Sequence, residues 1–424
     1  MTAADRSHPA DERNRIVREA PAKLNLTLAV IRRRADGYHA LHSVIVPLGL
    51  SDTIAVSAVE APPDRRDSPD RRDSPDRRDS LTLSGFDLPG GGDNLVLRSI
   101  ALARAAVAQT WPGAPAEPPP LAAELVKRIP VAAGLGGGSS DAASAMDAAL
   151  EAWDTTLSIH RAIAVAAALG SDVPFFLAGG AARISGRGEF VDPLPNLKGR
   201  QPAVLLVTPR VAVSTREVFE AFSRGAKPTH ADAAQEVSER LAADMAAGLG
   251  ASALLGRAAE LATSNDLLPA SVAVVPTLLP FRRALARLLA LPVGQSGSGP
   301  TCWTLYPSLA AARKAARSVE KAISSGQLPE IGRGAPFVAV TKILARPASS
   351  VATTAARPAD PVASVADAGV GLPEPVMTVV EPTGSPGGHT RRHRVTHGGH
   401  NVAVSKSDPS TRRHRGESGE SDRR

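Results

Sequence analysis

Apolar residues fall along this chain in short blocks, and their spacing predicts an ordered series of elements. Residues 23–30 and 41–46 are rich in branched and apolar side chains and predict strands. Further strands are expected around 53–59 and 81–83, and over 121–129, where the alternation is imperfect. Residues 95–108 predict a helix, with Asp93 and Asn94 as cap candidates. Residues 139–152 are good helix formers throughout, and 161–169 predict another helix. A buried strand at 203–207 and a helix opening at 214–222 follow. Beyond residue 280 come helix 281–290, a glycine turn, strand 301–306, helix 308–323 and strand 336–342. The mixture predicts an α+β fold in two domains, 14–196 and 197–345.

Two stretches break this pattern. Residues 63–80 are the hexamer "PDRRDS" three times over, without an apolar residue. Such a segment buries too little surface to offset its ordering entropy, so a disordered loop insertion is expected. After residue 345 the chain turns to Pro, Ala, Ser, Val and Thr without periodicity, then to a basic, histidine-bearing end, and 346–424 is expected to be a disordered tail.

Composition narrows the picture further. Hydrophobic residues make up 43% but aromatics only 3%, so the core must rest on Ala, Val, Leu and Ile. No apolar run reaches the roughly 18 to 20 residues of a membrane span. Residues 1–15 are polar and charged, without a signal-peptide hydrophobic region. A cytoplasmic protein without a membrane partner is expected. A single cysteine, Cys302, excludes an internal disulfide framework and any multi-cysteine metal site, and it reads as a small buried side chain. The formal charge of +7 suggests a nucleic-acid partner until it is mapped. Residues 389–424 carry +5 of it, leaving +2 for the other 388 residues. No nucleic acid is therefore expected for the folded body. A tail that did bind nucleic acid would do so with strong salt dependence.

The most informative stretch is "PVAAGLGGGSSDAASAM", 130–146, where Gly134, Gly136, Gly137 and Gly138 directly precede a helix. A dinucleotide fingerprint fails on spacing, and a Walker loop fails because no lysine follows. A flexible connection and an anion nest remain. In a nest, glycines let backbone N–H groups approach a polyphosphate at a helix start, where the dipole favours negative charge. Ser139 and Ser140 could cap that helix and offer hydroxyls to phosphate or Mg²⁺. A side chain at Gly137 would then intrude on the phosphates.

This loop resembles the P-x-x-x-G-L-G-S/G-S-S phosphate loop of the GHMP kinases. Five other stretches extend the resemblance in the family's order, from residue 20 to about 345. They are "APAKLNLTLAVIRRRADGYHALHSVIVPLGLSDTI", "DNLVLRSIALA", "GSDVPFFLAGGAARISGRGE", "SNDLL" and "GQSGSGPTCW". They narrow the likeness to the branch that uses ATP to phosphorylate the 2-hydroxyl of a small molecule, cytidine-diphosphate methylerythritol, on the way to isoprenoids. The resemblance implies the two-domain fold of that family, with ATP and substrate meeting between the domains. The hexamer repeat and the tail lie outside it.

The resemblance also implies roles. Asp172 of "GSDVPFF" matches the catalytic aspartate, although by itself an Asp before Val-Pro-Phe-Phe reads equally as a turn or cap residue. Lys23 matches the catalytic lysine. Its place in an apolar strand calls for a carboxylate partner, which Asp172 would supply. Asn25 shares a strand face with Lys23 and is assigned to positioning substrate. Asn94 matches a nucleotide-contacting asparagine, against its other reading as a helix cap. Pro130, Val131, Ala132, Ala133, Gly134, Leu135, Gly136, Gly137, Gly138, Ser139 and Ser140 form the expected ATP loop. Tyr38 and His39 match the cytidine-binding pair, and Thr215 and Phe219 two further substrate contacts. Gly297 and Gly299 are expected to support the phosphate loop. The expected metal is Mg²⁺, for which Ser140 is the one ligand candidate. A homoserine-type kinase is disfavoured by "DGYH", and a catalytically dead relative by the intact Lys23, Asp172 and glycine loop.

Overall fold

A computed structural model describes residues 15–59, 78–85, 94–110, 118–225, 231–346 and 376–379. The N-terminal part begins with β1 (Ile16–Asn25), β2 (Ala29–Arg33), β3 (His39–Ala58) and β4 (Ser80–Gly85). It continues through α1 (Leu95–Thr110), β5 (Leu121–Lys127), α2 (Gly137–Ala152), α3 (Ile159–Leu169) and α4 (Val173–Ala178), and closes with β6 (Ala182–Gly186) and β7 (Phe190–Pro193). Next come β8 (Ala203–Thr208), α5 (Thr215–Arg224), α6 (Ala231–Ala246), α7 (Ala251–Gly256), α8 (Ala258–Thr263), α9 (Leu268–Val274) and α10 (Leu278–Leu289). The last elements are β9 (Gly294–Gln295), β10 (Cys302–Tyr306), α11 (Leu309–Ser324), β11 (Phe337–Lys342) and β12 (Val376–Val379).

The strands build two sheets. The larger runs β12-β4-β5-β3-β6-β7, with β1 and β2 also paired to β3; the smaller runs β11-β8-β10-β9. Strand β3 organises the first sheet. Its start pairs with β2 and β6 and its end with β5, while β1 pairs along most of its length. The expected strands at 41–46 and 53–59 are thus one element, which pairs with β1 on both sides of a register shift at 47–51. In β8, Ala203–Thr208, every residue is buried, as a central strand covered on both faces requires.

The core is aliphatic, as the scarcity of aromatics demands. One cluster joins Leu24, Val46 and Leu48 of the first sheet to Val204, Leu206 and Trp303 of the second, so the two sheets share buried surface. A second cluster gathers Val207, Phe281 and Val319 beneath α10 and α11, and a third packs Ile54, Leu83 and Leu125 under α1 and α2.

Three further outcomes differ from expectation: first, the expected strand 23–30 is interrupted at 26–28, between β1 and β2. The last residues of the hexamer repeat are built into the fold. The Asp79 carboxylate accepts from Arg104 at 2.5 Å and from the Leu121 N–H at 2.9 Å, and Ser80 opens β4. An acceptor for a buried guanidinium is a local demand that composition does not register. Within 346–424, Val376–Val379 pairs in parallel with β4. Arg346 is also built in, its N–H bonding Asn196 Oδ1 at 2.7 Å, whereas 63–77, 347–375 and 380–424, together with Asp93, lie outside the described residues. Among the described residues, no helix is long and apolar enough to cross a membrane.

Candidate active site

Strand β1 carries the first functional side chains, and an irregularity aims them. Its register against β3 shifts between Pro21 and Lys23. Such bulges re-aim side chains next to functional sites. The Lys23 N–H leaves the ladder and donates to the Leu135 carbonyl at 2.8 Å, joining the strand to the glycine loop. The Lys23 side chain is buried. Its ammonium donates to Asn25 Oδ1 at 2.6 Å and stands 3.5 Å from Asp172 Oδ2.

Asp172 precedes α4, yet its side chain makes no cap hydrogen bond. Its carboxylate turns toward Lys23 instead, which resolves the alternative that it is only a helix cap. The Lys23–Asp172 pair expected from the lysine's apolar setting is present.

The glycine loop has the backbone form of an anion nest. Positive φ recurs at Ala132, Gly134 and Gly136 (52°, 79° and 70°), turning successive N–H groups toward a common side. Helix α2 begins at Gly137, two residues earlier than expected. Gly136 in the left-handed conformation is its N-cap, and no side chain caps it. Ser139 and Ser140 therefore lie within the first helical turn and do not cap. The first N–H groups of α2 have no intrahelical acceptor and face the cavity end of the helix dipole. A Cβ at Gly137 would meet Ile129 Cγ2 at 3.1 Å and Lys127 Nζ at 3.2 Å, so it points beneath the loop and not at the phosphates.

Beneath the loop lies a buried charge cluster that the sequence reading missed. Lys127 Nζ donates to Asp52 and, at 2.5 Å, to Asp141. Asp52 also accepts from the N–H groups of Arg128 and Ile129. Burial raises the Asp141 carboxyl to about 7; Lys127 opposes that shift and the nearby Asp52 charge reinforces it. An apolar strand end followed by "KRIP" and a helix bearing "SSD" carried no spacing signal for this cluster, because Asp52 comes from a distant strand.

A cavity of about 1270 Å³ joins these parts. Lys23, Asn25, Asn94 and Asp172 line it, and so does the loop from Pro130 to Ser139 except Leu135. Leu135 packs in the core, and Ser140 is buried off the cavity wall, its hydroxyl without a hydrogen-bond partner. Asn94 satisfies both of its readings in part. Its Oδ1 accepts from the Val96 N–H at 2.9 Å, capping α1, and the residue still borders the cavity.

The far end of the cavity brings together Tyr38, His39, Thr215 and Phe219. The His39 ring stacks on Phe219 at 5.4 Å, meets Phe222 edge-on at 5.7 Å, and places Nε2 3.2 Å from Ser223 Oγ. Burial, with help from the Arg33 charge, holds the imidazole below its ordinary pKa. Tyr38 keeps one ring face open, with the Arg187 guanidinium 5.3 Å from its centroid. Thr215 shares a hydrogen bond of 2.8 Å with Ser298, next to Gly297 and Gly299.

That last turn packs closely against the glycine loop, and side-chain hydroxyls bond it to the loop's carbonyls. Ser296 Oγ donates to the Gly134 carbonyl at 2.9 Å and Thr301 Oγ1 to the Ala133 carbonyl at 2.7 Å. Asn265, from "SNDLL", holds the turn through the carbonyls of Gln295 and Gly297 at 3.0 and 2.9 Å. Ser296, Thr301 and Asn265 were not singled out from the sequence, although all three fall inside the quoted motifs. Cys302 is fully buried with its thiol pushed up to about 12, and is inert as expected.

Comparison with known proteins places this geometry. Residues 94–180 match the family model for the GHMP kinases N-terminal domain. A 4-diphosphocytidyl-2-C-methyl-D-erythritol kinase of Pelotomaculum thermopropionicum is 38% identical over 303 residues, covering 70% of this chain and 91% of that protein. A crystal structure of 4-(cytidine 5'-diphospho)-2C-methyl-D-erythritol kinase is similar with a TM-score of 0.53 and 28% identity, covering 77% of this chain and 99% of the other. A homoserine kinase from Cytophaga hutchinsonii shares the fold, with a TM-score of 0.55 at 16% identity over 81% of this chain and 98% of the other.

Proposed function

The chain belongs to the 4-diphosphocytidyl-2-C-methyl-D-erythritol kinases within the GHMP family, and we infer its reaction from that membership. It transfers the terminal phosphoryl group of ATP to the 2-hydroxyl of 4-diphosphocytidyl-2-C-methyl-D-erythritol, a step toward isoprenoid precursors. The observation that carries the assignment of roles is the buried Lys23, 3.5 Å from Asp172, on a cavity wall between the glycine cradle and the Tyr38–Phe219 end.

In phosphoryl transfer a protein mainly positions the reactants and neutralises charge. The free N–H groups of the loop and of the α2 start hold the polyphosphate. Asp172 accepts the hydroxyl proton as the new O–P bond forms and the bond to the ADP oxygen breaks. The Lys23 ammonium, between Asn25 and Asp172, orients the carboxylate and adds positive charge where the phosphoryl group passes. Tyr38 offers its open ring face to the cytosine, and His39, with Phe219 behind it, completes that wall. Thr215 and Asn25 position the remainder of the substrate.

Mg²⁺ accompanies ATP in this proposal and supplies neutralisation of phosphate charge. Among the described residues no group of three or more His, Cys, Asp or Glu could hold a metal. That fits an ion held mainly by phosphates and water, as Mg²⁺ commonly is. The protein's contribution falls to the cavity-lining Ser139 hydroxyl in the first α2 turn, since Ser140, the ligand candidate expected from the sequence, is buried off the cavity wall. The division near residue 197 is supported by the strand order, since the first sheet takes β1–β7 and the second β8–β11.

The test is ATP consumption with 4-diphosphocytidyl-2-C-methyl-D-erythritol, homoserine and mevalonate in parallel. Turnover is expected with the first alone. Asp172→Asn should lower kcat by roughly 10² or more while leaving ATP binding intact. Near-normal turnover in that variant removes Asp172 from the mechanism.

A further inference from the structure

Resting on the reading above, we propose that Ser43 is a positioning residue: its hydroxyl sets the orientation of the Asn25 amide and thereby holds the Lys23 ammonium in place. Ser43 lies on β3, is buried, and does not match any motif residue assigned from the sequence. Its single hydroxyl proton is committed. Ser43 Oγ donates at 2.5 Å to the carbonyl of Thr27, a group that can only accept. Toward Asn25, 2.9 Å away, the same oxygen must therefore accept, so the Asn25 atom facing it is Nδ2. The opposite amide atom, Oδ1, then faces Lys23 Nζ at 2.6 Å.

The polarity of the chain follows without freedom to reverse. Lys23 donates to Asn25, Asn25 to Ser43, and Ser43 to the Thr27 carbonyl. The anchor is itself fixed, because Thr27 Oγ1 accepts from the Val44 N–H at 3.0 Å and bonds Ser238 Oγ at 2.7 Å. A Cβ at Gly297 would stand 3.2 Å from Asn25 Oδ1, so glycine there leaves the amide its place. Without the Ser43 oxygen, the buried Nδ2 loses its acceptor and the amide is held by the Lys23 bond alone, so Asn25 and the ammonium can shift together away from their place beside Asp172.

The test is a double-mutant cycle with a conservative rescue. Ser43→Ala should lower kcat by about tenfold or more, with KM for ATP within about twofold of wild type. Ser43→Thr, which keeps the hydroxyl, should restore most of kcat. In an Asn25→Ala background Ser43→Ala should cost less than about twofold, because its effect passes through Asn25. A second readout needs no substrate. The side-chain amide signals of ¹⁵N-labelled Asn25, identified by their loss in Asn25→Ala, should move in Ser43→Ala and stay in Ser43→Thr.

Additive losses in the cycle, a Thr variant as slow as the Ala variant, or unmoved Asn25 signals in Ser43→Ala would each overturn the proposal. Failure of the wild-type chain to turn over the cytidine-diphosphate substrate would instead overturn the family reading of its substrate, and the amide signals would then decide the role of Ser43 alone.

Discussion

Gly299→Ala should be among the most damaging single-methyl changes in this protein, although residue 299 lies far in sequence from the glycine cradle. A Cβ at 299 would fall well inside van der Waals contact of the Ala133 carbonyl group and the Gly134 N–H. Those are backbone atoms, so no side chain can rotate away. Restoring an ordinary contact requires the phosphate loop and the 296–301 turn to separate by about 1 Å, an overpacking strain of roughly 1–3 kcal/mol. That separation also breaks the bonds from Ser296 to Gly134 and from Thr301 to Ala133, at about 1 kcal/mol each. The expected loss of stability is therefore roughly 3–5 kcal/mol, with ATP affinity falling about tenfold or more as the cradle shifts. Gly138→Ala is the matched control. Its Cβ would meet only Leu95 Cδ1, at an ordinary 3.6 Å, inside the first turn of α2. Helix propensity then favours the variant by up to about 1 kcal/mol. Denaturant unfolding of both nucleotide-free variants, with calorimetric ATP titration of Gly299→Ala, measures these quantities. Wild-type stability and ATP affinity in Gly299→Ala, or an equal loss of stability in the two variants, would refute the backbone-against-backbone argument.

Two further outcomes follow from the same geometry. Tyr38→Ala should weaken binding of the cytidine-diphosphate substrate by about 1–3 kcal/mol, the worth of one base–aromatic stack, with ATP affinity unchanged; a matching loss for ATP would place Tyr38 in a general structural role. Asp79→Ala should destabilise the fold by about 3 kcal/mol in chemical denaturation, because the buried Arg104 loses its carboxylate and the Leu121 N–H its acceptor. Wild-type stability in that variant would mean the end of the hexamer repeat contributes nothing to the fold.

Much of this protein was legible in the residues themselves. Local periodicity located most helices and strands of the body, since strand and helix bury their faces at different spacings and these blocks are short and well separated. The glycine run announced a loop with left-handed backbone that opens directly into a helix, because such conformations cost glycine little. A lysine in an apolar strand announced a carboxylate partner, and Asp172 is that partner. What periodicity could not carry was anything made by distant segments meeting. The buried Asp52–Lys127–Asp141 cluster draws on β3, β5 and α2, and the bracing of the phosphate loop by Asn265, Ser296 and Thr301 joins residues more than a hundred positions apart in sequence. The direction of the Gly137 Cβ, the start of α2 at Gly137 and the fusion of two expected strands into β3 depend on register and on backbone conformation, which side-chain pattern leaves open. Residue types and spacing settled which chemistry the chain carries. Tertiary contact alone decided which atoms hold that chemistry in place, because a hydrogen bond such as Ser43 to Asn25 exists only once two strands have paired.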